Sequence, residues 1–178
     1  MNYAPSTLDP PSGRSYSVEM EIRDAIPDDA SAACQVLRRS ITELCVADHR
    51  NDREILTGWL SNKTPESFKS WIRPGHSVLV AVEEGTILAV GSVTDGGEIT
   101  LNYVSPGARF RGVSRAMLHA LESRAEERGN TQCTLSSTET ARRFYLAAGY
   151  AEQGRPPAGE LGLQPDYPMS KQLVPRNS

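Results

Sequence analysis

The chain has 178 residues, of which 38% are hydrophobic, and a formal net charge of −3. That is the size of one ordinary domain with its own core, and a mildly acidic chain argues against a nucleic-acid partner. No apolar run approaches the roughly 18 residues of a membrane span, and the three cysteines, Cys34, Cys45 and Cys133, show neither a disulfide framework nor metal-ligand spacing. They read as thiols of a reducing, cytoplasmic compartment. Residues 1–17, rich in Pro, Ser and Gly, lack the apolar centre of a signal peptide and read as a mobile tail.

An ordered domain is expected over residues 18–174, with 175–178 as a short C-terminal tail. Val18, Met20 and Ile22 alternate with polar residues, as in a half-buried strand. Asp28 or Asp29 then offers an N-cap to a helix whose apolar positions Ala33, Val36, Leu37, Ile41, Leu44 and Cys45 follow a 3.6-residue period. The stretch DHRND breaks that helix. A shorter one is expected around Arg53 to Leu60, and another opens at Thr64 with Pro65 at its first position. Three β-rich runs follow Pro74-Gly75, split by Glu84-Gly85 and by Asp95-Gly96-Gly97, so they predict an antiparallel meander.

A helix over 112–128 places Val113, Met117, Leu121 and Ala125 on one stripe, with Gly129 ending it. QCTLSST reads as a strand, TETARRFYLAAGY as a helix stopped at Gly149, and YPMSKQLV as a last strand. These elements, with room for a further strand, describe one α/β domain with a mixed sheet and no repeat.

The stretch YVSPGARFRGVSRAML sets a glycine and three arginines where a strand hands over to a helix. A helix N-terminus exposes unpaired N–H groups and a partial positive charge, which suits phosphate. Gly112 lets a ligand approach the backbone, and Arg109, Arg111 and Arg115 add attraction. This is neither a Walker loop, since no Gly-Lys-Ser/Thr follows, nor the three-glycine dinucleotide fingerprint.

Arg109-Phe110-Arg111-Gly112-Val113-Ser114, late in the domain after a meander, resembles the acetyl-CoA loop Arg/Gln-x-x-Gly-x-Gly/Ala of the GCN5-related N-acetyltransferase (GNAT) superfamily. Val104-Ser105-Pro106 is similar to that family's strand ending. The run from Ala141 through Phe144 and Tyr145 to Gly149-Tyr150 is similar to its A-x-x-F-Y-x-x-x-G-F/Y helix. Met169 to Leu173 resembles its closing strand, and Glu21 to Ala25 with Asp28-Asp29 its first strand and helix start. Ser114 departs from the family's Gly or Ala; it is small and keeps its N–H, so binding should survive.

The resemblance implies the GNAT fold: a single domain whose mixed, mostly antiparallel sheet has a splayed strand pair and flanking helices. It implies acetyl-CoA as co-substrate, no metal, and an amine acceptor on a small molecule, peptide or protein. Tyr103 or Val104 would hold the thioester carbonyl by a backbone N–H. The N–H groups of Phe110, Arg111, Gly112, Val113, Ser114 and Arg115 would hold the pyrophosphate, with Arg109 beside them. Thr138 stands where relatives often carry an asparagine against the pantetheine arm, and Ala141 heads the same helix. Tyr145 matches the family's general acid. Glu98 matches the glutamate that serves one branch as general base, while other members draw the proton off through water.

Glu43, Asp48, His49 and Trp59 are candidates for the acceptor pocket, since the family walls that pocket with its first helices. The family often forms dimers, so a homodimer stays open. Two other functions fit the same scaffold: a non-catalytic acyl-CoA-binding sensor, and a transferase using another acyl-CoA donor such as succinyl-CoA.

Overall fold

The computed structural model describes residues 19–154 and 166–174. The expected tails and Val18 lie outside them. Strand β1 is Glu21–Asp24. Asp29 stands at the N-cap of the next helix, as expected, but its side chain makes no cap hydrogen bond there. Its carboxylate turns back, accepting the Ile26 N–H at 2.8 Å and pairing with both Arg23 terminal nitrogens at 2.8 and 2.9 Å.

Helix α1, Ala30–Leu44, buries Ala33, Cys34, Leu37 and Ile41. The single long helix expected here is interrupted at Cys45, and one further turn, α2, spans Val46–His49. Arg50 and Asn51 then adopt left-handed φ of 52° and 59°, which ends the helical run. Helix α3, Arg53–Leu60, begins at Asp52, whose carboxylate accepts the Glu54 and Ile55 N–H groups. Helix α4, Pro65–Trp71, begins at Thr64, whose hydroxyl accepts the Ser67 N–H, and it buries Phe68 completely.

The expected meander is present as β2 (His76–Glu83), β3 (Thr86–Thr94) and β4 (Ile99–Val104). With β1 they form an antiparallel sheet of order β1-β2-β3-β4. Helix α5, Val113–Glu127, packs on one face of this sheet through Met117, Leu121 and Ala125. Its close approach depends on Gly91, where a Cβ would meet the Met117 Sδ at 2.7 Å. Helices α1 and α4 cover the other face against Val78, Val80 and Val90.

The second half holds β5 (Gln132–Ser137), α6 (Glu139–Ala147), the two-residue β6 (Ala151–Glu152) and β7 (Tyr167–Gln172). These strands form a separate antiparallel sheet of order β5-β7-β6. The two sheets meet at a parallel bridge between Glu98 and Thr134, with the Thr134 N–H donating to the Gly97 carbonyl at 3.0 Å. Beyond it β4 stays paired with β3 and β5 with β7, so the two strands part and leave a wedge. Among the described residues, no helix is long and apolar enough to cross a membrane.

Candidate active site

The wedge opens into a cavity of about 530 Å³, lined by all of β4, by Leu135 and Ser136 of β5, by the turn into α5, and by α6. The register decides which β4 amides face it. The Ser105 N–H donates to the Leu88 carbonyl, and Val90 pairs with Tyr103 two residues further in. Antiparallel ladders alternate bonded and non-bonded pairs. The Tyr103 amide is therefore engaged by β3, and the Asn102 and Val104 amides point across the open edge toward β5. Of the two expected carbonyl holders Val104 keeps its free N–H, and Asn102 joins it. Tyr103 contributes its ring instead.

At the other end of the cavity, Gly112 caps α5 with φ of 78° and with no atom within 4 Å of the Cβ it lacks. The first intrahelical bond is Ala116 N–H to Gly112 O at 3.0 Å, so the Val113, Ser114 and Arg115 amides precede it and need other partners. All three residues line the cavity, as do Arg109 and Phe110. Arg109 and Arg115 are the charged side chains of the described lining. Phe110 is 94% exposed at a left-handed φ of 62°, with the Arg109 guanidinium 4.7 Å above its ring. Arg111 is different: its guanidinium binds Glu83 at 2.7 Å and leaves the lining, so only its backbone remains beside the turn.

Tyr145 projects from α6 into the cavity and is 7% exposed. Its ring meets Phe144 and Tyr150 edge-on at 5.1 and 5.6 Å. Burial pushes the phenol up to about 12, against a smaller lowering by its hydrogen bond with the Asn102 side chain. It is thus a protonated donor at neutral pH. Asn102 gave no sequence signal, because an asparagine in a strand carries no motif; it reaches Tyr145 only through the wedge. Thr138 and Ala141 line the same wall, and the Thr138 hydroxyl caps α6 by accepting the Ala141 N–H at 3.2 Å.

The acceptor-side candidates take other positions. Glu43 lies on the exposed face of α1, paired with Arg39 at 2.8 Å. His49 is fully buried. Its Nε2 contacts the Ile41 carbonyl at 3.1 Å and its Nδ1 accepts the Asn51 N–H at 3.0 Å, so one nitrogen serves α1 and the other the turn after α2, and both are engaged within the protein. Asp48 is 3% exposed and accepts the Glu139 N–H at 2.8 Å and the Thr140 hydroxyl at 2.5 Å, anchoring α6. Trp59 stands behind the lining and hydrogen-bonds the Tyr103 phenol, whose pKa is raised chiefly by burial. The Cys45 thiol also lines this end; burial pushes it up to about 12, so it is an uncharged wall. Glu98 is exposed beside the bridge to Thr134 and is not among the lining residues.

Known proteins share this fold. Residues 45–173 match the family model described as "Acetyltransferase (GNAT) domain". No curated protein matches the chain. Among solved structures, the GCN5-related N-acetyltransferase of Rhodopseudomonas palustris superposes with a TM-score of 0.77 at 23% identity, covering 90% of this chain and 100% of its own. The PaiA N-acetyltransferase of Thermoplasma acidophilum, solved with coenzyme A, gives 0.74 at 17% identity, covering 87% and 99%. The aminoglycoside 6'-N-acetyltransferase of Enterococcus faecium gives 0.65 at 16% identity, covering 89% and 99%.

Proposed function

The chain belongs to the GNAT acetyltransferase family, and on that premise we propose that it moves an acetyl group from acetyl-CoA to a primary amine by direct attack in a ternary complex. The observation that carries this reading is the continuity of one cavity. It runs from the amides at the start of α5, past the open edge of β4, to the buried phenol of Tyr145.

The amides from Phe110 to Arg115 and the guanidinium groups of Arg109 and Arg115 hold the pyrophosphate. The free amides of Asn102 and Val104 hold the thioester carbonyl. They strengthen their grip as its oxygen gains charge under attack, which lowers the barrier. The amine nitrogen forms its bond to the carbonyl carbon and sheds one N–H proton to solvent, the carbon–sulfur bond breaks, and Tyr145 donates its proton to the departing sulfur and regains one from solvent. Thr138 and Ala141 flank the pantetheine arm.

The acceptor enters past Tyr103 and Cys45. The Asp166 carboxyl stands near enough to Tyr103 to act on its phenol, and its own pKa is raised first by desolvation and then by the charge of Asp48. Trp59 steadies the Tyr103 ring that borders the entrance.

The test is to mix the protein with acetyl-CoA and a panel of amines while following free thiol. Thiol release that requires an amine supports the transferase. Tight acetyl-CoA binding with no release across the panel would make the protein an acyl-CoA-binding sensor. Faster release from succinyl-CoA would reassign the donor.

A further inference from the structure

The register between β3 and β4 slips by one residue: Ser92 pairs with Leu101 and Val93 with Ile99, so Thr100 is the extra residue of a β-bulge. Bulges re-aim a side chain. The Thr100 hydroxyl lies 2.6 Å from the Ser92 hydroxyl and 3.2 Å from the His76 Nε2, while the His76 Nδ1 lies 3.1 Å from the Trp71 carbonyl. Thr100 also lines the cavity.

The directions of these bonds follow from their ends. A backbone carbonyl can only accept, so Nδ1 of His76 carries a proton. In the neutral ring Nε2 is then a lone pair, and the single Thr100 proton points at it. Ser92, fully buried, must be the donor to the Thr100 oxygen. The result is an oriented chain from a hydroxyl in the cavity to an imidazole that is half-buried at the start of β2.

We propose that His76, acting through Thr100, is the proton acceptor that converts the incoming ammonium to the attacking amine. This rests on the transferase reading of the same cavity. An N–H bond of the ammonium breaks and its proton passes, through water in the cavity, to the Thr100 oxygen. The original Thr100 proton moves to Nε2 in the same step. The hydroxyl stays neutral, the amine gains its lone pair, and the imidazolium releases the proton to solvent. Imidazole is the side chain suited to such exchange near neutral pH. Thr100 stands three residues before Tyr103, about 10 Å along the strand, so the bridging water is part of the device.

The charged residues of the segments that flank His76 are Glu66 and Lys69 on α4, Arg73 after it, Asp95 in the β3–β4 turn and Glu98 at the head of β4, and Lys63 stands over the Trp71 ring at 5.9 Å. Arg73 bridges to His76 by backbone, and Asp95 is paired with Arg128. The ring's own hydrogen bonds go to Trp71 and Thr100.

The experiment uses the whole chain, acetyl-CoA, and the fastest acceptor among spermidine, tyramine, kanamycin and a lysine peptide. His76→Gln and Thr100→Val should each lower kcat/KM for the amine at pH 6–7 by about a hundredfold. The loss should shrink as rising pH supplies free amine, with KM for acetyl-CoA unchanged. Thr100→Ser, which keeps the hydroxyl, should restore most of the rate. Variants whose pH profiles match the wild type in height and shape would overturn the relay while leaving the transferase intact. A wild-type protein that releases no thiol overturns the transferase reading and the relay with it. Nitrogen-15 NMR of the histidines gives a check independent of turnover: a neutral His76 protonated at Nε2 rather than Nδ1 would overturn the proposal.

Discussion

Asp48 accepts the backbone N–H of Glu139 at 2.8 Å across 91 positions of sequence. The helix that carries Tyr145 is thus held at its first turn by a carboxylate from α2. A negative charge at a helix N-terminus stabilises the helix, and this one also satisfies the Thr140 hydroxyl. Asp48→Asn keeps one acceptor but turns an amide N–H toward Thr140. We expect it to lose about 1–3 kcal/mol, read as a drop in Tm of roughly 2–4 °C per kcal/mol. The value of kcat should fall with it, and acetyl-CoA affinity should change little. A variant as stable and as fast as wild type would show that the cap does not position α6.

Tyr145→Phe should leave acetyl-CoA affinity intact and lower kcat by about a hundredfold or more. Because burial moves the phenol from its ordinary 10.0 up to about 12, it stays protonated throughout the usual assay range. The rate should therefore show no decline from Tyr145 ionisation below about pH 10. The same shift links to stability. Its contribution is whole below the ordinary tyrosine range and disappears as pH rises through the folded value. Alkaline unfolding of wild type and Tyr145→Phe compared between pH 10 and 12 would measure it.

Gly97 and Gly112 both adopt left-handed φ, 81° and 78°, but their surroundings differ. A Cβ at Gly97 would meet the Gln132 carbonyl oxygen at 2.6 Å, at the point where the two sheets join. Gly97→Ala should cost about 2–4 kcal/mol through strain and backbone displacement, and should weaken acetyl-CoA binding by changing the angle of the wedge. A Cβ at Gly112 meets nothing. Gly112→Ala should cost only about 1–2 kcal/mol of backbone strain, while raising the Kd for acetyl-CoA at least tenfold. Calorimetry and thermal melts on both variants separate the two effects.

The Arg23–Asp29 pair predicts an acid-sensitive contribution to stability. Hydrogen bonding from Arg23 holds the Asp29 carboxyl below its ordinary 3.8. A lowered carboxyl stabilises the fold above its unfolded value, and that stabilisation is lost as pH falls below about 4. Arg23→Gln should therefore reduce stability at pH 6 and reduce its dependence on pH between 5 and 2. Denaturant melts across that range check both.

The strands, the helix stripes and the α5 turn were legible because each is written in neighbouring residues: a period of 2 or 3.6, a Gly at a turn, a Pro at a first helical position. The break of the first helix at Cys45 was not, since Val46 and Ala47 continue a helical composition and the left-handed pair Arg50-Asn51 follows only later. The side-chain partnerships were less legible still. Arg111 reads as a phosphate ligand until β2 brings Glu83 beside it. His49 reads as an acceptor-pocket candidate until the fold buries it against Ile41. Asn102 and Thr100 carried no sequence signal, since one acts across the wedge on Tyr145 and the other depends on a one-residue slip in pairing. Polar contacts between residues tens of positions apart have no period to detect.

The anchoring of α6 by Asp48 links two properties that selection would otherwise tune separately. The short turn that bears Asp48 follows the end of α1, so on the proposed reading a replacement there that admits a bulkier amine would also slacken the mount of Tyr145. On the same reading, altering the Tyr103–Trp59 pair would change the entrance without removing the Asp48 contacts to α6.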